Sequence, residues 1–328
     1  MKAALVLGLL LACAGGERSA AHPVSFVRLG RVEFAGKSYV RLGDWARANG
    51  FDIRWLRTGD VLQLSNRSAR MVFTRDSRDA DLNGVKVCLS YPIQMREGMG
   101  FISDLDLDTA IDPVLSPQKN WRGAKVRNIV IDPGHGGKDP GNQAGSHQEK
   151  KYTLLLAQEV GEQLKHAGFN ASLTRTADSF IELPTRPDIA RRRGADLFIS
   201  LHWNDLPGNS EFKGSQVYCL TPAGASSSNA GGAQGSAARE PGNRNNGRNV
   251  LLAYELQKSL KRNLGVEDHG VRRARYWILR DATMPAVLIE GGFMSNPGES
   301  RRIYDAAYRR QMAQAIVAGV MAYQKLVE

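Results

Sequence analysis

The chain has 328 residues, 42% apolar and 23% charged, which suits two packed domains and excludes a disordered polyelectrolyte. Its formal net charge of +11 makes an anionic partner the default expectation, whether nucleic acid, an acidic cell-wall polymer or a membrane surface. Three cysteines without a CxxC spacing exclude a disulfide framework and a cysteine zinc site.

Residues 1–21 read as a secretory signal peptide: Lys2, an apolar run from Ala3 to Ala14, then small residues, too short to span a bilayer as a stable helix. Cleavage fits after Ala21 or Ala14, and the expected location is periplasmic or extracellular. "LLAC" around Cys13 also resembles a lipoprotein box, so a membrane attachment is expected only if Cys13 carries lipid. Removing the leader takes Lys2, Arg18 and Glu17 together and hardly changes the charge. Cys88 and Cys219 remain and read as two buried thiols.

Residues 22–118 read as a small α+β domain. "RVEFAGKSYVRLGDWARANGFDIRW" passes from alternating strand residues into a helix around Asp44–Asn49 that Gly50 stops. "IQMREGMGFISDLDLDTAIDPVL" echoes that order of turn, strand and polar-led helix, which suggests a repeated strand–strand–helix unit. This half resembles the N-terminal-like domain of copper amine oxidases, a stalk or adaptor module of exported bacterial proteins. The resemblance implies an adaptor role and leaves room for an activator or wall-anchoring partner. No histidine lies between His22 and His135, so no metal is expected here. "LSPQKNWRG", residues 115–123, reads as a linker.

From residue 119 onward strands alternate with helices. The pattern predicts an α/β domain with a twisted, mostly parallel sheet and helices on both faces. Its strands are "VRNIVID", "NASLTRT", "ADLFISLHWN", "SQVYCL" and "PAVLIEGGF". Its helices are "KKYTLLLAQEVGEQLKHAG", with Leu156, Ala157, Val160 and Leu164 on one face, "LPTRPDIARRRG", "NVLLAYELQKSLKRNLG" and a closing stretch from Glu299. Residues 224–249 are rich in Gly, Ser, Asn and Ala and read as a mobile loop whose one acidic residue is Glu240.

The chemistry turns on "IVIDPGHGGKDPGNQAGSHQEK", residues 129–150. A Walker loop needs Ser or Thr after Gly137–Lys138, and Asp139 stands there and would repel phosphate; a dinucleotide loop fits only with forcing. His135, His202 and Glu290 each follow a predicted strand, and Glu149 opens the helix after the first strand, so all four fall at one sheet edge, where α/β ligands gather. Two histidines and a carboxylate form a common catalytic zinc set, and a further carboxylate nearby is what such a site needs as general base. Apolar strands that end in His202 and Glu290 strengthen the pattern, because burying such groups needs a reason. On pattern alone, a hydrolytic metal site and chance placement both stay open.

Residues 127–325 resemble the zinc-dependent N-acetylmuramoyl-L-alanine amidases of the type 3 family. The matching blocks are "IVIDPGHGGKDPG", Glu149–Lys150, Leu183 with Arg186, "ADLFISLHWN" and "GVRRARYWILRDATMPAVLIEGGFMSNPGES". The resemblance implies one Zn²⁺ held by His135, Glu149 and His202, with Glu290 as the catalytic carboxylate. It implies peptidoglycan as substrate, cut between the muramic lactyl group and L-alanine, and no nucleic acid partner. A cell-wall-binding protein without catalysis and a zinc carboxypeptidase are the alternatives. Trp203 and Arg191 depart from the usual pattern, Trp203 where it could alter the pocket or a sugar contact. His147 is a competing ligand on paper but reads as a loop residue, His269 as a polar loop residue near substrate, and His22 and His166 as exposed. Some relatives place an inhibitory helix where residues 224–249 fall. Here that tract offers no apolar helix face, so an open rim or lid is expected.

Overall fold

The computed structural model describes residues 29–117, 125–229 and 238–328. The expected leader, Cys13 and most of the expected linker lie outside the described residues. No described helix is long and apolar enough to cross a membrane.

The amino-terminal half opens with the hairpin β1 (Arg31–Phe34) and β2 (Lys37–Arg41), followed by α1 (Leu42–Ala48). An antiparallel meander follows: β3 (Asp52–Arg57), β4 (Val61–Ser65), β5 (Arg70–Thr74), β6 (Asp79–Leu82) and β7 (Val85–Cys88). A second hairpin, β8 (Gln94–Arg96) and β9 (Met99–Ser103), leads into α2 (Asp104–Asp106), a π turn over Leu107–Ile111 and α3 (Asp112–Leu115). The faint sequence repeat is present in three dimensions. The two hairpins lie side by side in the order β1-β2-β9-β8, and each runs into a helix. Both turn on a pair with positive φ at each position: Ala35 and Gly36 at 49° and 71°, Glu97 and Gly98 at 50° and 71°. That geometry matches the strands' twist and closes a two-residue hairpin.

The carboxy-terminal half comprises β10 (Asn128–Pro133), the short pair β11 (Gln143–Ala144) and β12 (His147–Gln148), α4 (Glu149–His166), β13 (Asn170–Leu173), α5 (Thr185–Arg192) and β14 (Leu197–Asn204). It continues with β15 (Ser215–Leu220), a 3-10 turn (Pro241–Asn245), α6 (Asn246–Leu264), β16 (Asp268–Ala274), α7 (Trp277–Arg280), β17 (Ala286–Phe293), α8 (Pro297–Tyr304) and α9 (Ala306–Val327). As the sequence predicts, β13, β10, β14 and β17 run parallel. The reversal is β15, antiparallel to β17 and parallel to β16. Alternation along the strands sorts the two faces. Ile129, Ile131, Ile199, Leu201, Val287 and Ile289 pack with α4, α6 and α9, while Val130, Phe198, Ala286 and Leu288 pack toward α5 and α7.

The two halves share one sheet. Strand β16 pairs in parallel with β7 through Val271 and Val87, giving the order β13-β10-β14-β17-β15-β16-β7-β6-β5-β4-β3. The meander thereby covers what would otherwise be an open edge at β16. Polar ties reinforce the joint: Lys86 N–H donates to Asp268 at 3.0 Å, Arg272 pairs with Asp79 at 3.0 Å, and the fully buried Arg273 donates to the Thr109 carbonyl at 2.7 Å. The apolar core is continuous from Leu64, Phe73 and Val87 to α6 and α9.

The Gly/Ser tract differs from the expected loop over 224–249. Its last part is helical, as the 3-10 turn and the start of α6 at Asn246. Its first part is pinned: Tyr91 Oη donates to the Gly224 carbonyl (2.6 Å), Arg78 to that of Ser226 (2.8 Å) and Arg275 to that of Ala225 (2.7 Å). The donors come from distant chain positions, so local composition could not reveal them. Residues 230–237 lie outside the described residues.

Candidate metal centre

Strand β10 delivers the first candidate ligand. Past Pro133 the backbone turns sharply, and His135 sits in the left-handed region at φ 60°, a conformation uncommon outside glycine and held only when its surroundings enforce it. Two buried arginines provide that enforcement. Arg186 donates to the carbonyls of Pro133 (2.9 Å) and His135 (2.9 Å) and pairs with buried Asp132 at 3.0 Å. Arg175 donates to the carbonyls of Pro133 (3.1 Å), Gly134 (2.8 Å) and Lys150 (2.9 Å). Burial, and then the neighbouring Arg186 charge, pull the Arg175 pKa down. Asp132 also accepts from Thr174 (2.6 Å) and Ser200 (2.8 Å), so the loop rests on a saturated polar network.

Glu149 is the first residue of α4 and is 1% exposed. The helix amino terminus favours a carboxylate there. It accepts backbone N–H groups from Asn142 (2.9 Å) and Trp203 (3.0 Å). One oxygen lies 3.0 Å from His135 Nε2 and the other 3.0 Å from His202 Nδ1. Burial works against the charge, but hydrogen bonds to His135 and His202 hold the Glu149 carboxyl well below the usual carboxylate range. One ligand atom each from His135, Glu149 and His202 lies within 4.8 Å of the others, and the two imidazoles meet edge to face at 4.9 Å between centroids. Glycines make room for this packing. A Cβ on Gly141, itself at φ 65°, would stand 2.6 Å from the His135 ring and 2.7 Å from Glu149 Oε2. A Cβ on Gly134 would stand 2.3 Å from His202 Cε1. This nitrogen and oxygen donor set, within one coordination sphere's reach, fits Zn²⁺ chemistry.

Glu290 lies opposite His202 in the β14–β17 register. Both belong to the strand face that carries Phe198 and Leu288, so both point to the α5 and α7 side. Glu290 Oε2 is buried with no hydrogen-bond partner, an arrangement that a resident ligand would explain. Burial, and then the Glu149 charge, push the Glu290 carboxyl well above the usual carboxylate range. All four residues line one cavity of about 420 Å³, together with Leu183, Arg186, Arg275 and Trp277.

The other singled-out residues lie elsewhere. His147 stacks on Tyr304 at 3.8 Å between centroids and bonds to Tyr152 Oη, outside the cluster. His269 is not a loop residue near substrate: it is a buried strand residue of β16, stacked on Phe212 and bonded to the Lys213 carbonyl. Trp203 does not reach the pocket, because one residue past His202 the strand turns its side chain into the opposite core, where it is fully buried. Arg191 pairs with Asp188 on the surface, and His166 is exposed at the end of α4. Glu240, the acidic residue of the tract, closes a capping box with Asn243 and pairs with Arg280. Asp139 has a role that the sequence reading missed. Its carboxylate meets His135 Nδ1 at 2.8 Å, which leaves Nε2 to face Glu149. Asp132 and Arg175 were missed as well, although each is a charged residue at the end of a predicted strand, the same signal that picked out Glu290.

A parallel sheet with a His–Glu–His cluster and a further carboxylate at its carboxyl ends has the layout of an α/β metal-dependent hydrolase. Residues 129–322 match the family model for N-acetylmuramoyl-L-alanine amidase, and the chain belongs to that family. It is 36% identical over 218 residues to the N-acetylmuramoyl-L-alanine amidase AmiC of Neisseria meningitidis serogroup B, across 60% of this chain and 52% of that one. It is 33% identical over 231 residues to the amidase AmiA of Escherichia coli, across 63% and 79%. The solved structure of the amidase AmiC2 of Nostoc punctiforme aligns with a TM-score of 0.52 at 31% identity, over 62% of this chain and 99% of that one. The chain therefore spans about half the length of the Neisseria relative and most of the Escherichia one.

Proposed function

We propose that the chain is an exported, zinc-dependent amidase that hydrolyses the bond between the lactyl group of N-acetylmuramic acid and the L-alanine of the peptidoglycan stem. The observation that carries this reading is the unpartnered Glu290 Oε2 beside the His135–Glu149–His202 cluster, in a cavity of about 420 Å³ that all four line. His135, Glu149 and His202 would hold the ion, which supplies Lewis-acid polarisation of the scissile carbonyl and an acidified water. Asp139 fixes the His135 tautomer, and Arg175 and Arg186 hold the loop that presents it. Glu290 takes the proton from the attacking water at Oε2 and returns it to the leaving alanine nitrogen. The residues of this chemistry fall between Asp132 and Glu290, and residues 29–117 brace them through the shared sheet.

Replacing Glu290 with Gln tests the assignment. Zinc content by mass spectrometry or colorimetric release should stay at one per chain, while release of stem peptides from peptidoglycan falls by about 10²–10⁴-fold. Hydrolysis at the wild-type rate by Glu290→Gln would overturn the role given to Glu290. Trimmed stems in place of free intact stems would point to a carboxypeptidase.

A further inference from the structure

The mouth of the cavity carries an indole that the hydrolytic reading leaves without a task. Trp277 opens α7 and lines the same cavity as Glu290, yet it keeps 49% of its surface exposed while its neighbours Ile278 and Leu279 are buried. Ligand pockets are lined largely by apolar and aromatic side chains, so an exposed ring that lines this one is placed to meet a ligand. The ring is also braced. The Arg280 guanidinium lies over it at 4.3 Å from the centroid, and Glu240 pairs with Arg280 at 3.3 Å. Glu240 is fixed in turn by its capping box with Asn243. A half-exposed indole held by a guanidinium stacked on it is pre-organised for a ligand, because little rotamer freedom is left to lose on binding.

The proposed substrate has one group of that shape next to the bond to be cut. A pyranose ring presents a face of C–H groups to an aromatic π-face, whereas the stem residue on the other side of the amide is a small alanine. We infer that Trp277 is the platform on which an N-acetylated amino-sugar ring of the glycan stacks, with Arg280 and Glu240 as positioning residues that hold the indole. The inference rests on the amidase reading for its substrate class, but its binding step does not require hydrolysis. The Gly/Ser tract thereby acquires a definite task, since its acidic residue sets the platform.

Two measurements on the full-length protein test this. Calorimetry with a tetramer of N-acetylglucosamine, which has no lactyl group and no lactyl–alanine amide to cut, should show binding to the wild type. That binding should weaken by about tenfold or more in Trp277→Ala and be largely restored in Trp277→Phe, on the scale of a lost aromatic contact. Kinetics on peptide-bearing glycan strands should show a matching rise in KM for Trp277→Ala with kcat little changed, and a smaller rise for Glu240→Gln. Equal tetramer affinity in wild type and Trp277→Ala, or no binding by the wild type, overturns the platform even if amidase activity is intact. Absence of amidase activity alongside Trp277-dependent sugar binding would instead overturn the amidase reading and leave the platform standing.

Discussion

Gly134→Ala probes the metal centre through a single methyl group. Gly134 has no positive φ, so alanine suits its backbone, and the loss of unfolded-state freedom should by itself favour folding slightly. The difficulty is steric. The new Cβ would stand 2.3 Å from His202 Cε1 and 2.5 Å from Nε2, where carbon atoms ordinarily approach no closer than about 3.5 Å. The backbone cannot retreat: Gly134 N–H donates to Leu201 O at 3.0 Å, and its carbonyl accepts from Thr153 and Arg175, each at 2.8 Å. His202 must therefore yield by roughly 1 Å. A ligand so displaced should weaken zinc binding by about 10–100-fold, the range seen when the support of a metal ligand is lost. By mass action, zinc at a hundred times its Kd adds about 2.7 kcal/mol to the wild type, and a hundredfold weaker variant would gain only about 0.4 kcal/mol. Denaturant unfolding with zinc and with chelator measures that increment directly. Gly145→Ala is the control: its Cβ would meet nothing within 4 Å, so any loss from its φ of 59° should be the same with and without zinc. A Gly134→Ala protein that keeps the full wild-type increment would refute the placement of His202 in the metal site.

Two further expectations follow from the same geometry. Asp139→Asn should lower zinc affinity by about 10–100-fold while leaving the chelated protein's stability nearly unchanged, because Asp139 is 39% exposed; unchanged affinity by competition titration would remove it from the site's support. Deleting residues 29–117 should give an aggregated or unfolded product, since it uncovers β16 and the core around Arg273, Cys219 and α6; a soluble, active fragment of residues 125–328, judged by size-exclusion chromatography and activity, would show that the halves are independent domains.

Much of the site was legible because polar groups at the ends of apolar strands carry information. His202 closes "LFISL" and Glu290 closes "AVLI", and β14 and β17 do pair there in register. The helix stops were equally local, with Gly50, Gly168 and Gly265 at φ values of 69°, 90° and 62° after the helices they end. The expectation that Trp203 could alter the pocket failed on the strand's alternation: odd positions of β14 face α4, α6 and α9, so Trp203 does not share a pocket with His202. Asp139 stayed hidden because an orienting carboxylate in a loop has no periodic signature, and only the fold of that loop brings it to His135.

Local chemistry along the chain determined the parallel α/β arrangement, the hairpin turns at Ala35–Gly36 and Glu97–Gly98, and the four residues that gather at one sheet edge. These follow from side-chain periodicity and backbone preference, which act over a few residues. Only the tertiary structure decided that the halves join through Val271 and Val87, that residues 224–226 are pinned by Arg78, Tyr91 and Arg275, and that the exposed indole at the cavity is Trp277. A sheet edge, a backbone carbonyl or a ring face can be satisfied by any suitable group that packing brings near. Which group arrives is set by the packing of the whole chain.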